Sequence, residues 1–180
     1  VVDVFSRVLE APWPQAEEGA RFADVFRTAT GWDHLWLTAA EVAKLSKGQW
    51  PESLGQRIAR FHLIDNTRGE PPTWENSEVK EANFALTKAG ESQRLTGRVR
   101  LATENGARAY DASVFGEIII KNDKLIRFDI LTRGRYQGHG TYTTAQAPTG
   151  PFTFAVAFSL APADSIARLV PPQGSRSLKE

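Results

Sequence analysis

The chain has 180 residues, 41% of them apolar, with 22 basic against 21 acidic residues and a formal net charge of +1. That length fits one domain able to bury ~70% of its unfolded surface, and so small a charge excludes a field that would draw nucleic acid or an anionic membrane. Cysteine is absent, which excludes disulfides, thiol chemistry and iron–sulfur clusters, and no run approaches the ~20 apolar residues of a membrane span.

The chain begins Val1-Val2 with neither an initiator methionine nor a signal peptide, and reads as a processed or trimmed product. Residues 1–15 form an opening segment with a short strand or helix at Val2–Leu9, ended by Pro12-Trp13-Pro14. Glu17–Ala29 has helical spacing, with Phe22, Val25, Phe26 and Ala29 on one stripe. Trp32, Leu35, Trp36 and Leu37 make an apolar cluster. Thr38-Ala-Ala-Glu41 is a capping box opening a short helix through Leu45, and Ser53-Leu-Gly-Gln56 is a second box opening about two turns. Ile58–Ile64 reads as a strand, Thr67–Trp74 as a loop blocked by Gly69 and Pro71-Pro72, and Val79–Thr87 as a further strand.

Arg94–Arg133 is a three-stranded antiparallel meander. Asn105-Gly106 marks the first turn, because a type I′ turn needs positive φ at both central residues. A two-residue loop there sets Thr103 opposite Arg108, Leu101 opposite Tyr110, Val99 opposite Ala112 and Leu95 opposite Gly116. Leu95, Val99, Leu101, Tyr110, Ala112 and Val114 then share one face. The other face sets Arg100 against Asp111 and Arg94 against Glu117, each pair contributing roughly 0.2–1 kcal/mol. Asn122-Asp123 marks the second turn and pairs Ile120 with Leu125, Ile118 with Arg127, Gly116 with Asp129, and Val114 with Leu131. The opposite face pairs Phe115 with Ile130. Both faces of this hairpin are apolar, so each requires cover by a helix, a second sheet or closure into a barrel. Arg127 and Asp129 fall among Leu125, Leu131, Ile118 and Val114 as a charged anomaly.

Gly134–Gly140 reads as a glycine-rich loop, and Tyr142–Thr144 as a short edge strand. Phe152, Phe154, Val156, Phe158 and Leu160 alternate with small residues, which permit close approach of a helix or a second sheet. Pro162–Leu169 suggests a short helix with Asp164 and Ser165 as competing caps. The fold expected is α+β: a mainly antiparallel, curled or barrel-like sheet with short N-terminal helices packed on one side. Residues 1–170 form a single globular domain, and 171–180 a loose polar tail.

None of the three histidines, His34, His62 and His139, has the spacing of a metal pair. His34 reads as packing in its tryptophan-rich patch, and His62 as a strand residue on a polar or rim face. His139 lies between Gly138 and Gly140, which allow close approach of a ligand or chain, with Arg135, Tyr136 and Tyr142 near in sequence. Asp65-Asn-Thr-Arg68 reads either as a loop brace or as part of a site. Arg127 and Asp129 read as an ion pair that sets register or as an anchor for a polar ligand group. Candidate ligand-binding residues are therefore Arg127, Asp129, Arg135, His139, Tyr142, His62, Asp65 and Arg68. No catalytic residue, metal ligand or cofactor is implied.

Arg57–Trp74, together with Arg127–Thr143 running on to Gly150–Ala161, resembles a group of bacterial, exported domains with no established activity. The resemblance covers under half the chain. It implies that these segments belong to one module with an extracytoplasmic location, and it transfers no functional residue. The size and the meander are also similar to lipocalin-like barrels, although Gly31-Trp32 is adjacent here rather than spaced.

Three functions fit these residues. The first is a non-catalytic extracytoplasmic binding or assembly module, with a protein partner or self-association. The second is a small-molecule carrier, which predicts an enclosed cavity of several hundred Å³ near Asp129 and Arg127. The third is a hydrolase or isomerase using His139 or His62 as base, with Asp65 or Asp129 orienting it.

Overall fold

The computed structural model describes residues 1–15, 23–141, 143 and 147–172. Seven strands make one antiparallel sheet: β1 Val2–Glu10, β2 Thr30–Leu35, β3 Val79–Ala89, β4 Ser92–Ala102, β5 Ala109–Lys121, β6 Lys124–Gln137 and β7 Phe152–Leu160. Their order is β2-β1-β7-β6-β5-β4-β3, so β2 and β3 are edges and the sheet is open rather than closed into a barrel. The meander is longer than expected, running from β3 through β7, and β1 is inserted between β7 and β2. The helices are few and short: α1 Ala23–Thr28, α2 Ala39–Ser46 and α3 Glu52–Arg57. The fold is therefore mostly β. The expected helix over Glu17–Ala29 is described only from Ala23, and the expected edge strand at Tyr142–Thr144 lies largely outside the described residues.

The core lies against the inner face of the sheet. Leu95, Val99, Leu101, Tyr110, Ala112 and Val114 are all buried there, on the one face that the first hairpin predicted. Tyr136 packs on Phe152 and Phe154 with ring centroids 5.3 and 5.2 Å away. Each such aromatic side chain contributes roughly 1.5–3 kcal/mol by leaving water. Leu45 of α2, Leu54 of α3, Ile58 and Trp74 close the core from the other side.

The first hairpin has the predicted register, including Leu101 opposite Tyr110 and Arg100 opposite Asp111. Its turn differs in type. Gly106 has φ +67°, Asn105 is not at positive φ, and the Gly106 N–H donates to Thr103 O at 3.0 Å. The ion pair also differs, because Asp111 is held by the diagonal Arg98 at 2.9 Å.

The second hairpin departs from its predicted register. Asn122 and Asp123 have φ +50° and +59°, as a type I′ turn requires, and Ile120 pairs with Leu125. A β-bulge at Ile126 then shifts the ladder, so Ile119 meets Arg127, Ile118 meets Phe128 and Glu117 meets Asp129. Phe128 and Ile130 consequently point into the core, while Arg127 and Asp129 stand half-exposed on the outer face. The expectation that these two charges lie among Ile118 and Val114 is thereby corrected.

The expected strand at Ile58–Ile64 is a helix instead: α3 runs directly into a π-helical turn, Ile58–His62, closed by Leu63 N–H on Ile58 O at 3.1 Å. Every residue from Ile58 to Ile64 is buried. A short run buried on all sides carries no usable period, and its alternation of polar and apolar residues misleads. The Thr38 capping box is present in both arms, with bonds of 2.9 and 3.2 Å. The second box is not: Pro51 opens α3 without a side-chain cap, and Ser53 donates to Glu41 at 3.3 Å. Pro162–Leu169 holds only a 3₁₀ turn, Ile166–Arg168, capped by Ser165.

Candidate functional site

The predicted site residues that the structure describes fall into three separate places. Asp65 and Arg68 are buried together as an ion pair with 2.5 Å between Nη2 and Oδ2. The Thr67 backbone N–H and hydroxyl both donate to the same carboxylate, at 3.1 and 2.6 Å. Arg68 also donates to the Thr143 carbonyl, and the Thr143 hydroxyl accepts from the Gly140 N–H at 2.7 Å. His139, exposed beside Gly140, has Nδ1 3.3 Å from the Gly140 carbonyl. The Asp65–Arg68 turn and the His139 loop therefore converge through Thr143, and these contacts tie two crossing segments together. Trp74 and Arg108 extend this bracing. The Arg108 guanidinium lies 3.8 Å over the Trp74 ring and donates to Pro72 O at 2.6 Å.

His62 lies apart from that chain of contacts. It is buried in the π-helical turn, not on a rim, with Nδ1 2.9 Å from Asp33 of β2 and its ring edge-on to Phe158. The carboxylate facing it is thus neither Asp65 nor Asp129. His34 packs edge-on against Trp32 at 5.1 Å, as a packing residue would. Tyr142 lies outside the described residues. Arg135 does not join the His139 loop but reaches Pro151 O at 2.7 Å from the outer face.

Arg127 and Asp129 belong to the outer face with Glu117. Arg127 lies 2.5 Å from Glu117 and 3.3 Å from Asp129, and the Arg127 hydrogen bond holds the Glu117 carboxyl below its usual range. The concavity beside Asp129 holds about 540 Å³, is open to solvent, and is lined by Phe115, Leu131 and Ala157. The enclosed cavity that a barrel carrier requires is not what this part of the structure contains, because Phe128, Ile130 and Phe158 fill the inner side.

The outer face carries a feature that sequence reading missed. Consecutive registers place Phe115 opposite Leu131, Leu131 opposite Ala157, Ala157 opposite Phe5 and Phe5 opposite Trp32. These five residues form one apolar row straight across β5, β6, β7, β1 and β2. Phe115 and Trp32 are each 55% exposed, Leu131 42% and Phe5 39%. Phe5 and Trp32 stack with planes 7° apart, and the Trp32 indole N–H donates to Asp3 at 3.3 Å. In sequence, the marks of this row are an apolar Phe5 standing between Asp3 and Arg7 on the polar phase of its strand, and Phe115 on the second apolar face of the second hairpin. The sequence pattern sets Phe115 opposite Ile130, and the bulge puts it opposite Leu131 instead.

Among the described residues, no group of three or more His, Asp or Glu side chains is arranged to hold a metal ion, and no helix is long and apolar enough to cross a membrane. Compared with family models, with curated proteins and with solved structures, the chain matches none.

Proposed function

We propose that the chain is a non-catalytic binding or assembly module whose working surface is the outer face of the sheet. The observation that carries this reading is the unbroken apolar row from Phe115 to Trp32, left open to solvent by an open sheet. Large exposed apolar patches rimmed by polar residues mark interaction surfaces. Aromatic residues are enriched at such surfaces because each offers a large area at little rotamer cost. Trp32 suits that use: its indole N–H is already bonded to Asp3, so its ring can be covered without leaving a donor unpaired.

A photo-crosslinking residue placed at Phe5 or Phe115 in the producing cells tests the proposal, with the exposed turn residue Lys47 as control position. Adducts should form at the two outer-face positions and not at the control. Equal, background-level yields at all three positions would remove the reading. The likeness of Arg57–Trp74 to exported bacterial domains adds an extracytoplasmic location to it. Cell fractionation tests that addition, and recovery in the cytosol alone would overturn it.

A further inference from the structure

We infer that the outer face docks on the same face of a second copy of this chain, in a face-to-face pair related by a two-fold axis running along the apolar row. The inference rests on the reading of that face as a working surface and names its occupant.

Charge placement selects the pairing. On one side of the apolar row, two residues along each strand, lie Glu117, Asp129 and Asp3, with Arg94 beside Glu117 and Arg127 bonded to Glu117 and Asp129 from the next row out. On the other side lie Arg98, Arg133 and Arg7, with Ser113 and Ala155 between them and Asp111 in the next row out, bonded to Arg98. Rotating a second copy about the row exchanges these flanks. Asp129 then faces Arg133 of the second copy and Asp3 faces its Arg7, each contact occurring twice. The one like-charged meeting, Arg94 with Arg98, falls on an arginine already held by Asp111 at 2.9 Å. A two-fold at right angles to the row, through β7, would instead set Asp129 on Asp3 and Arg133 on Arg7. Like charges brought together across an interface are strongly disfavoured, so the first of these two arrangements is the complementary one.

Shape agrees with charge. The middle of the apolar row is β7, whose outward residues Ala155, Ala157 and Ser159 are small, so a second sheet can approach to the ~10 Å spacing of packed sheets. Phe5 and Leu131 stand on either side of Ala157. Rotation about the row keeps the strands of the two sheets aligned, as in sandwiches. Three rows across seven strands cover about 700 Å² per copy at usual strand spacings, close to the ~800 Å² that a stable pair buries on each partner.

Sedimentation of the 180-residue chain over a range of concentrations tests the pairing. The wild type should sediment as a dimer, and Arg133→Glu or Asp129→Lys alone should weaken it about tenfold or more. Mixing the two variants should restore a dimer, because both cross-copy contacts then join opposite charges. A purely structural role for either residue would not be rescued by mixing. Should Asp129→Lys fail to melt cooperatively, Arg7→Glu, at an exposed position, should by itself weaken the dimer in the same way, and a dimer left unchanged by it would count as overturning the pairing. A wild type that stays monomeric at about 100 µM, or variants whose mixture associates no better than either alone, would overturn the inference. Monomers whose outer face still cross-links to a different protein would overturn the self-pairing and leave the docking face standing. Monomers with no outer-face adducts would overturn both.

Discussion

Ile119 is paired with Arg127, although its neighbour Ile120 is paired with Leu125, so Ile126 stands in β6 without a partner. Two local demands meet at this point. The type I′ turn at Asn122-Asp123 sets Ile120 against Leu125, both facing inward. The large residues further along, Phe128 and Ile130, can reach the core only if the ladder is displaced by one residue. The bulge satisfies both demands and leaves Ile126 in solvent.

Deleting Ile126 should therefore be tolerated. It closes the bulge while leaving Ile120–Leu125 and Ile119–Arg127 paired as before, and the expected cost is within about 1 kcal/mol. Deleting Asp129 should cost far more, because the ladder can absorb it only by closing the bulge, which turns Arg127 inward opposite Ile118 and Phe128 outward opposite Glu117. Urea denaturation of the two deletion variants checks the contrast. Equal losses would show that the register is not held in this way.

Glu41 joins the two short helices. Its carboxylate closes the Thr38 capping box and also accepts from Arg57 Nη2 at 2.7 and 2.6 Å. Burial works to raise its pKa, but the Thr38 backbone N–H and the Arg57 guanidinium outweigh burial, and the net shift is downward from 4.5. A depressed carboxyl stabilises the fold above its unfolded pKa, and that contribution is lost as pH falls through the folded value. Glu41→Gln should cost roughly 1–3 kcal/mol at pH 7. The gap to the wild type should begin to narrow as pH falls below about 4.5 and close only once pH has passed the lower folded value, where both carry an uncharged side chain. Urea midpoints of the two proteins measured from pH 7 to pH 3 test this, and a gap that stays constant would contradict it.

The buried Asp65–Arg68 pair predicts strong coupling. Arg68→Met strands the Asp65 carboxylate in the interior and should destabilise by about 3–5 kcal/mol. Asp65→Leu combined with Arg68→Met should cost less than the sum of the two single changes, since neither charge is then left alone. A double-mutant cycle by chemical denaturation gives the coupling. Additive costs would mean that the pair does not act as a brace.

Tyr110 and Tyr136 predict alkaline behaviour. Burial pushes both phenols above the ordinary value of 10.0, for Tyr110 against an opposing hydrogen bond with Thr132 at 3.1 Å. A phenol that resists ionisation only when folded leaves stability intact below the unfolded pKa and reduces it as pH rises beyond that value. Stability should hold up to about pH 10 and then fall by about 1.4 kcal/mol per pH unit for each buried tyrosine. Tyr110→Phe should make that fall shallower. Absorbance titration should show two of the three tyrosines ionising only as the chain unfolds. Three phenols titrating together near pH 10 in the folded protein would exclude the burial argument.

Local chemistry was readable wherever a segment answers to its own neighbours. Asn105-Gly106 and the alternation beside it specify the register of β4 against β5, although Gly106 alone takes positive φ. Thr38 and Glu41 mark the start of α2, and Phe152, Val156 and Phe158 mark the buried face of β7. The alternation in Ile58–Ile64 points to a strand, but its surroundings, not its period, make Ile58–His62 helical. Arg60 and His62 are held there by Trp74 and Asp33, residues distant in sequence.

The amino-acid order by itself determined the turns, the capped helix and the inward face of most strands, since each depends on backbone dihedrals or on side chains a few positions apart. Only the tertiary structure decided the insertion of β1 beside β7, the displacement at Ile126 and the open edges at β2 and β3. Those three together bring Phe115, Leu131, Ala157, Phe5 and Trp32 into one row. Their alignment depends on pairings between strands up to about 150 residues apart, and no local interaction along the chain specifies such pairings.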